Sequence, residues 1–275
     1  MSYGYTGNIL HLDLSSKKHW IEHPPEIFYR TYWGGRSLAL YYMLKEMKPH
    51  TEPLSPDNLL IFAPSVLTGT PAPAIPRYTV CAKSPLTGAQ GEAEAGGWWG
   101  PELKKAGFDA IIIKGSSPIP VYLWINDGKI DIKEAVRLWG KDTGTTQKII
   151  KEELADDKIR IAQIGPAGEN LVRFANIVNE LKYFNGRNGL GAVMGSKKLK
   201  TIAVRGTKPI DLYGASGCLF VGLVIGYSVY RVASAFPKTE LGYNTALQLI
   251  KSEAIDEGFY PLFNPFYCCG WTACR

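Results

Sequence analysis

The chain has 275 residues, 45% of them hydrophobic and 20% charged, which describes a globular protein with a real core and excludes an intrinsically disordered one. Its net charge of +6 mildly favours anionic ligands. The longest basic cluster, Lys197, Lys198 and Lys200, is too short for a nucleic-acid-binding block, so no nucleic-acid partner is expected.

In chain order, "GNILHLDLSS" alternates apolar and polar residues and predicts a strand, with Ser15-Ser16 turning into a second strand at "KKHWIEH". Pro24-Pro25 breaks that pattern, and Gly34-Gly35-Arg36 opens a helix over "SLALYYMLKEM". "NLLIFAPSVLTGT" and "RYTVCAKSP" read as strands, and "GPELKKAGFDAIIIKG" as a short helix feeding a β-branched strand. "VYLWINDGKIDIKEA" predicts a hairpin with Asp127-Gly128 at its turn. "TGTTQKIIKEEL" is an amphipathic helix, and "IRIAQIG" and "TIAVRG" are further strands. The interleaving has no steady βαβ alternation, so the predicted fold class is α+β, with no repeat of fixed period.

Charge divides the chain near residue 211. Only four basic and four acidic residues follow it, so the whole net charge lies before it. This predicts domains at 1–210 and 211–275. Residues 212–230 carry no charge over 19 residues, long enough to cross a bilayer. Their glycines, serines and tyrosines, without a flanking basic cluster, favour a buried or aberrant segment, so a membrane is not expected as a partner. The N-terminus shows no basic region followed by an apolar core, and the five cysteines form no disulfide framework. A cytoplasmic location is expected.

The stretch "FNGRNGLGAVMGSKKLK" (184–200) concentrates glycines beside cations, the makings of a backbone cradle for an anion such as phosphate. It matches neither the P-loop, since "GAVMGSK" has three residues between its glycines, nor the dinucleotide fingerprint. The four histidines have no metal-ligand spacing and read as ordinary strand or surface residues. Gly97 and Gly100, flanking Trp98 and Trp99, read as packing positions.

Taken in order, Gly34-Gly35-Arg36, "IFAPSVLTGT", "RYTVCAKSPLTG", "AEAGGWWGPELKKAGFDAIIIKG", "IGPAGENLVRFANI" and "GRNGLGAVMGSKKLKTIAVRG" resemble the N-terminal domain of the aldehyde ferredoxin oxidoreductase family of tungsten-pterin enzymes. The resemblance covers roughly residues 4–210, with a weaker echo through "LGYNTALQLIKSEAIDEGFYPLFNPF". It implies a β-rich base for a tungsten bis-pterin cofactor, magnesium bridging the pterin phosphates, and a nearby [4Fe–4S] cluster. The implied activity is oxidation of an aldehyde to a carboxylic acid, with electrons passing to ferredoxin.

The resemblance places Arg77 at the pterin. It places Glu94, Ala95 and Gly96 in a backbone loop at the phosphates, and Asn185, Gly186, Arg187, Gly189 and Gly191 in the second glycine loop. Magnesium would be held through the backbone carbonyls of Glu94 and Asn185. The family usually has asparagine at Glu94, and more often alanine at Asn185 and glycine at Asn188. On residue type alone, Arg77 also suits a surface ion pair, and Glu94 a solvated loop acid.

The family's cluster cysteines are spaced C-x2-C-x3-C with a distant fourth. Here Cys268 and Cys269 are adjacent and Cys274 follows four residues later, a poor set for four thiolates around one cluster. Together with the thin charge after residue 211, this predicts a truncated or aberrant start of the following domain, a short helical remnant. No catalytic side chain is expected within residues 1–275, because the family's acid and base lie beyond them. The expected function is the cofactor-binding part of the oxidoreductase, with a separate chain as a candidate partner supplying the missing domains. The alternative is a non-catalytic pterin-binding half-domain or an inactive remnant.

Overall fold

The computed structural model describes residues 4–70 and 75–210. The uncharged run, the cysteines after Cys81, and the expected helical remnant lie outside the described residues.

The first half of the chain builds one six-stranded sheet. Strands β1 (Ile9–Asp13) and β2 (Lys18–Glu22) form the expected antiparallel hairpin. Helices α1 (Glu26–Tyr32) and α2 (Gly35–Glu46) follow, then β3 (Leu60–Pro64), β4 (Tyr78–Lys83) and β5 (Gln90–Ala95). Helix α3 (Trp99–Lys105) leads into β6 (Ala110–Lys114), which runs parallel to β1. The strand order is β2-β1-β6-β3-β4-β5.

The second half repeats that plan. Hairpin β7 (Val121–Asn126) and β8 (Lys129–Glu134) turns at Asp127 and Gly128, both with positive φ, as a tight primed turn requires. Helix α4 (Thr143–Leu154) starts where the Asp142 side chain accepts the Thr145 N–H at 2.9 Å. Strand β9 (Arg160–Gln163), helix α5 (Pro166–Glu169), β10 (Ile177–Asn179) and β11 (Tyr183–Asn185) come next. Helix α6 (Leu190–Ser196) leads into β12 (Leu199–Arg205), parallel to β7. The order is β11-β10-β9-β12-β7-β8, so β7 to β12 occupy the places that β1 to β6 hold in the first sheet.

The two sheets pack face to face. Leu10, Leu60, Phe62 and Val80 from the first share a core with Leu123, Ala162, Ile202 and Val204 from the second. The outer face of the first sheet is covered by α2 through Leu38 and Tyr42. The outer face of the second carries Leu138 and Ile150, the latter from α4. Strands buried on both faces need apolar residues throughout, which accounts for the unbroken "AIII" of β6. The architecture is α+β, as expected. The repeated topology was not legible as a period in the sequence, because the two halves share strand order and not residues.

Candidate functional site

Strand β5 joins α3 through Gly96–Trp98, and β11 joins α6 through Gly186–Gly189. These short connections occupy corresponding positions in the two halves of the fold. Both glycine-rich stretches singled out in the sequence therefore play one structural part twice.

The first stretch is less of a loop than expected. Glu94 and Ala95 are the last residues of β5, opposite Thr79 and Tyr78 of β4. The small inward residues Gly91, Ala93 and Ala95 hide the strand pattern, while Glu92 and Glu94 alternate outward. Arg77 immediately precedes β4, and its Nη1 donates to Glu94 Oε2 at 3.3 Å. Arg36, at the start of α2, pairs with Glu92 Oε1 at 3.2 Å, and buried Glu92 Oε2 has no hydrogen-bond partner among the described residues. In this state Arg77 does make the surface ion pair that its residue type allowed. The Trp98 N–H is bound by Glu180, whose two carboxylate oxygens lie 3.0 Å away. Burial raises the Glu180 carboxyl above its ordinary value.

The second stretch is bound to the first by asparagines. Asn185, fully buried at the end of β11, donates through Nδ2 to the Ala93 carbonyl at 2.9 Å. Asn188 Nδ2 reaches the Glu92 carbonyl at 2.7 Å, and Asn179 Nδ2 the Gly96 carbonyl at 3.0 Å. The buried Tyr78 hydroxyl shares its proton between Asn185 Oδ1 (2.9 Å) and Asn179 Oδ1 (3.1 Å). Desolvation raises the Tyr78 phenol well above its usual pKa, so it stays a donor. None of this latch was anticipated. The only available signal was three asparagines in and beside β-rich segments, where that residue is otherwise disfavoured.

The glycines divide by task. Gly189 caps α6 with φ +67°, and a Cβ there would overlap the Arg173 carbonyl oxygen. Gly191 lies inside α6, buried 2.5 Å (from its would-be Cβ) from the Asn176 carbonyl oxygen, with its N–H already donated to the Ala175 carbonyl. Gly186 alone of the three has open room, with nothing nearer than 3.8 Å. Arg187 is exposed, and its Nη1 contacts only the adjacent Gly186 carbonyl at 3.1 Å among the described residues.

The lysines that follow do not extend this surface. Lys197 and Lys200 are fully buried, the former donating to the carbonyls of Pro56 and Gly115, the latter paired with Glu169. Only Lys198 is exposed. Two of the three cations that follow the glycines are internal braces instead. A buried ammonium is tolerable only where it is paired or carbonyl-bound, and here each one is.

The histidines behave as expected: His11 sits in β1 and reaches Glu22 at 2.7 Å. Cys81 is buried and its thiol is pushed up to about 12 by desolvation, an inert core residue. Among the described residues no group of three or more His, Cys, Asp or Glu side chains could hold a metal. Cys268, Cys269 and Cys274 lie outside the described residues. Among the described residues, no helix is long and apolar enough to cross a membrane.

Comparison with known proteins agrees with this architecture. The family model for the aldehyde ferredoxin oxidoreductase N-terminal domain matches residues 9–206. A tungsten-containing aldehyde ferredoxin oxidoreductase of Pyrococcus horikoshii is 49% identical over 210 residues, 76% of this chain and 35% of that protein. The WOR-like subunit of an aliphatic sulfonate oxidoreductase of Pyrococcus furiosus is 34% identical over 223 residues, again 35% of its length. Among solved structures, a chain of the active-site complex BamBC of benzoyl coenzyme A reductase superposes with a TM-score of 0.78 at 38% identity, covering 87% of this chain and 37% of that one. The chain thus spans about a third of the length of the relatives it matches, and over that span it belongs to the aldehyde ferredoxin oxidoreductase family, as a form of its N-terminal domain.

Proposed function

We propose that residues 1–210 hold the phosphate ends of a tungsten bis-pterin cofactor in a tungsten-dependent aldehyde ferredoxin oxidoreductase, with residues 211–275 beginning the next domain. The observation that carries this is the pairing of two corresponding connections, each bearing an exposed arginine (Arg77 beside one, Arg187 in the other) and tied together by asparagine–carbonyl bonds. A ligand with two like halves suits a cradle built twice.

The donor set fits such a group. Arg77 and Arg187 would bind phosphate oxygens, for which a planar guanidinium is suited. The backbone carbonyls of Glu94 in β5 and Asn185 at the end of β11 would offer oxygen ligands to magnesium, a hard cation that takes them. The Glu94 carboxylate, now on Arg77, adds a negative charge that magnesium would offset.

When bound, the cofactor would supply the two-electron centre for oxidising an aldehyde to its acid, with ferredoxin as electron acceptor and a [4Fe–4S] cluster between. The chain's own part is to orient that group. In the family the acid, base and cluster ligands come from later domains, on this chain or a separate one. A cytoplasmic setting suits a ferredoxin-linked reaction.

The test is elemental analysis of protein purified anaerobically from its native source. About one tungsten with about four irons per chain would support the full reading. Tungsten without iron would support a cofactor-holding part alone, and absence of tungsten would overturn the assignment.

A further inference from the structure

Trp98 is exposed where its neighbour is not: its side chain is 59% accessible, while Trp99 is fully buried and donates Nε1–H to the Ile202 carbonyl. The exposed indole is nevertheless held in place. Glu180 fixes its backbone N–H from the far sheet, and the Arg160 guanidinium lies over its ring, 5.8 Å from the centroid. Arg160 is itself unusual, because its buried Nε has no hydrogen-bond partner among the described residues. The carboxylate that would ordinarily engage it, Glu180, is occupied by Trp98.

A large ring kept in water, with its position fixed by two residues recruited from the other sheet, is a poor use of a tryptophan unless something covers it. The surroundings indicate what. Gly96 and Gly97 precede the ring, and partly exposed Tyr183 flanks those glycines, with its Cδ2 only 2.6 Å from where a Gly97 Cβ would lie. A flat ring could reach this aromatic rim while an attached phosphate rested on the glycine connection.

We propose that Trp98, backed by Arg160, is a stacking platform for a planar heteroaromatic ring of pterin size. This rests on the cofactor reading above and deepens it by naming the residue that takes the ring. Trp98 makes the contact. Arg160 is a positioning residue, which holds the indole in place by the attraction between a cation and an aromatic face.

The test separates ring from phosphate, using neopterin alone and pyrophosphate with magnesium alone, each titrated against the full 275-residue chain. Trp98→Ala should weaken neopterin binding about 5- to 150-fold, the range for stacking on an aromatic side chain, and leave pyrophosphate affinity unchanged. Trp98→Phe should retain most of the affinity. Arg77→Ala should do the converse, weakening pyrophosphate alone. Arg160→Ala should weaken neopterin binding and lower the emission anisotropy of Trp98, taken as the difference from the Trp98→Phe chain in each background, and Arg160→Lys should restore both. Neopterin binding that is absent from the unaltered chain, or indifferent to Trp98→Ala, overturns the platform. Pyrophosphate binding that is absent, or indifferent to Arg77→Ala, counts against the phosphate cradle instead, so the two readings fail separately.

Discussion

Tyr78 and Asn185 lie 107 residues apart, on different sheets, and meet in a buried 2.9 Å hydrogen bond beneath the two connections of the candidate site. Asn185 passes the connection on, its amide donating to the Ala93 carbonyl one strand away from Tyr78. The edge strands β5 and β11 are thus joined by side chains where no ladder of backbone bonds joins them. Such a joint fixes the spacing of the connections without closing the two sheets into one.

Tyr78→Phe tests that joint. The substitution keeps the ring among Phe62 and Trp99 and removes the proton shared by Asn179 and Asn185, leaving buried acceptors without a donor. The expected loss is about 1–3 kcal/mol of stability, read by urea denaturation, with pyrophosphate binding weakened in the same variant. An unchanged midpoint would mean that the asparagines find other donors.

Glu94→Gln should act on binding and scarcely on stability. The Arg77–Glu94 pair is largely exposed, 61% and 40% accessible, so its loss should cost less than about 1 kcal/mol. Freed from the carboxylate, Arg77 should bind pyrophosphate more tightly without magnesium, by a factor of about 2–5, the equivalent of that same energy. Titration calorimetry in chelator reads the effect. A drop in affinity would show that Glu94 assists the anion instead of competing with it.

Much of the fold was legible because its signals are local. The Asp127-Gly128 turn, the "AIII" of β6 and the alternation of β1 each follow from a few adjacent residues. Strand β5 was not legible, since its inward positions are filled by Gly91, Ala93 and Ala95, which carry little strand propensity. Strands β10 and β11, three residues each, depend on partners far away in sequence. The site was half legible. Arg187 and its glycines stand together in the sequence, whereas Arg77 on Glu94, Glu180 on Trp98 and the asparagine latch come together only after folding.

The glycine stretch offers a controlled comparison. Gly189→Ala would place a Cβ onto the Arg173 carbonyl at a φ of +67°, so a loss above about 2 kcal/mol, or failure to fold, is expected. Gly186→Ala meets nothing within 3.8 Å and should shift stability by less than about 1 kcal/mol. Paired denaturation curves decide it, and similar costs at both positions would contradict the division of tasks between them.

Lys197 carries the clearest pH dependence. Its ammonium is fully buried, and desolvation lowers its pKa from 10.5 to about 7. Between those values the unfolded chain binds a proton that the folded chain does not, so unfolding grows harder as pH rises. Relative to Lys197→Met, the native chain should therefore gain stability from about pH 7 to about pH 10.5, by up to about 1.4 kcal/mol per unit, and be flat below pH 7. Denaturation midpoints of both chains at pH 7, 8.5 and 10 measure the difference. A flat difference across that range would mean that the Pro56 and Gly115 carbonyls, which accept from Nζ at 3.2 and 3.1 Å, keep the ammonium charged throughout.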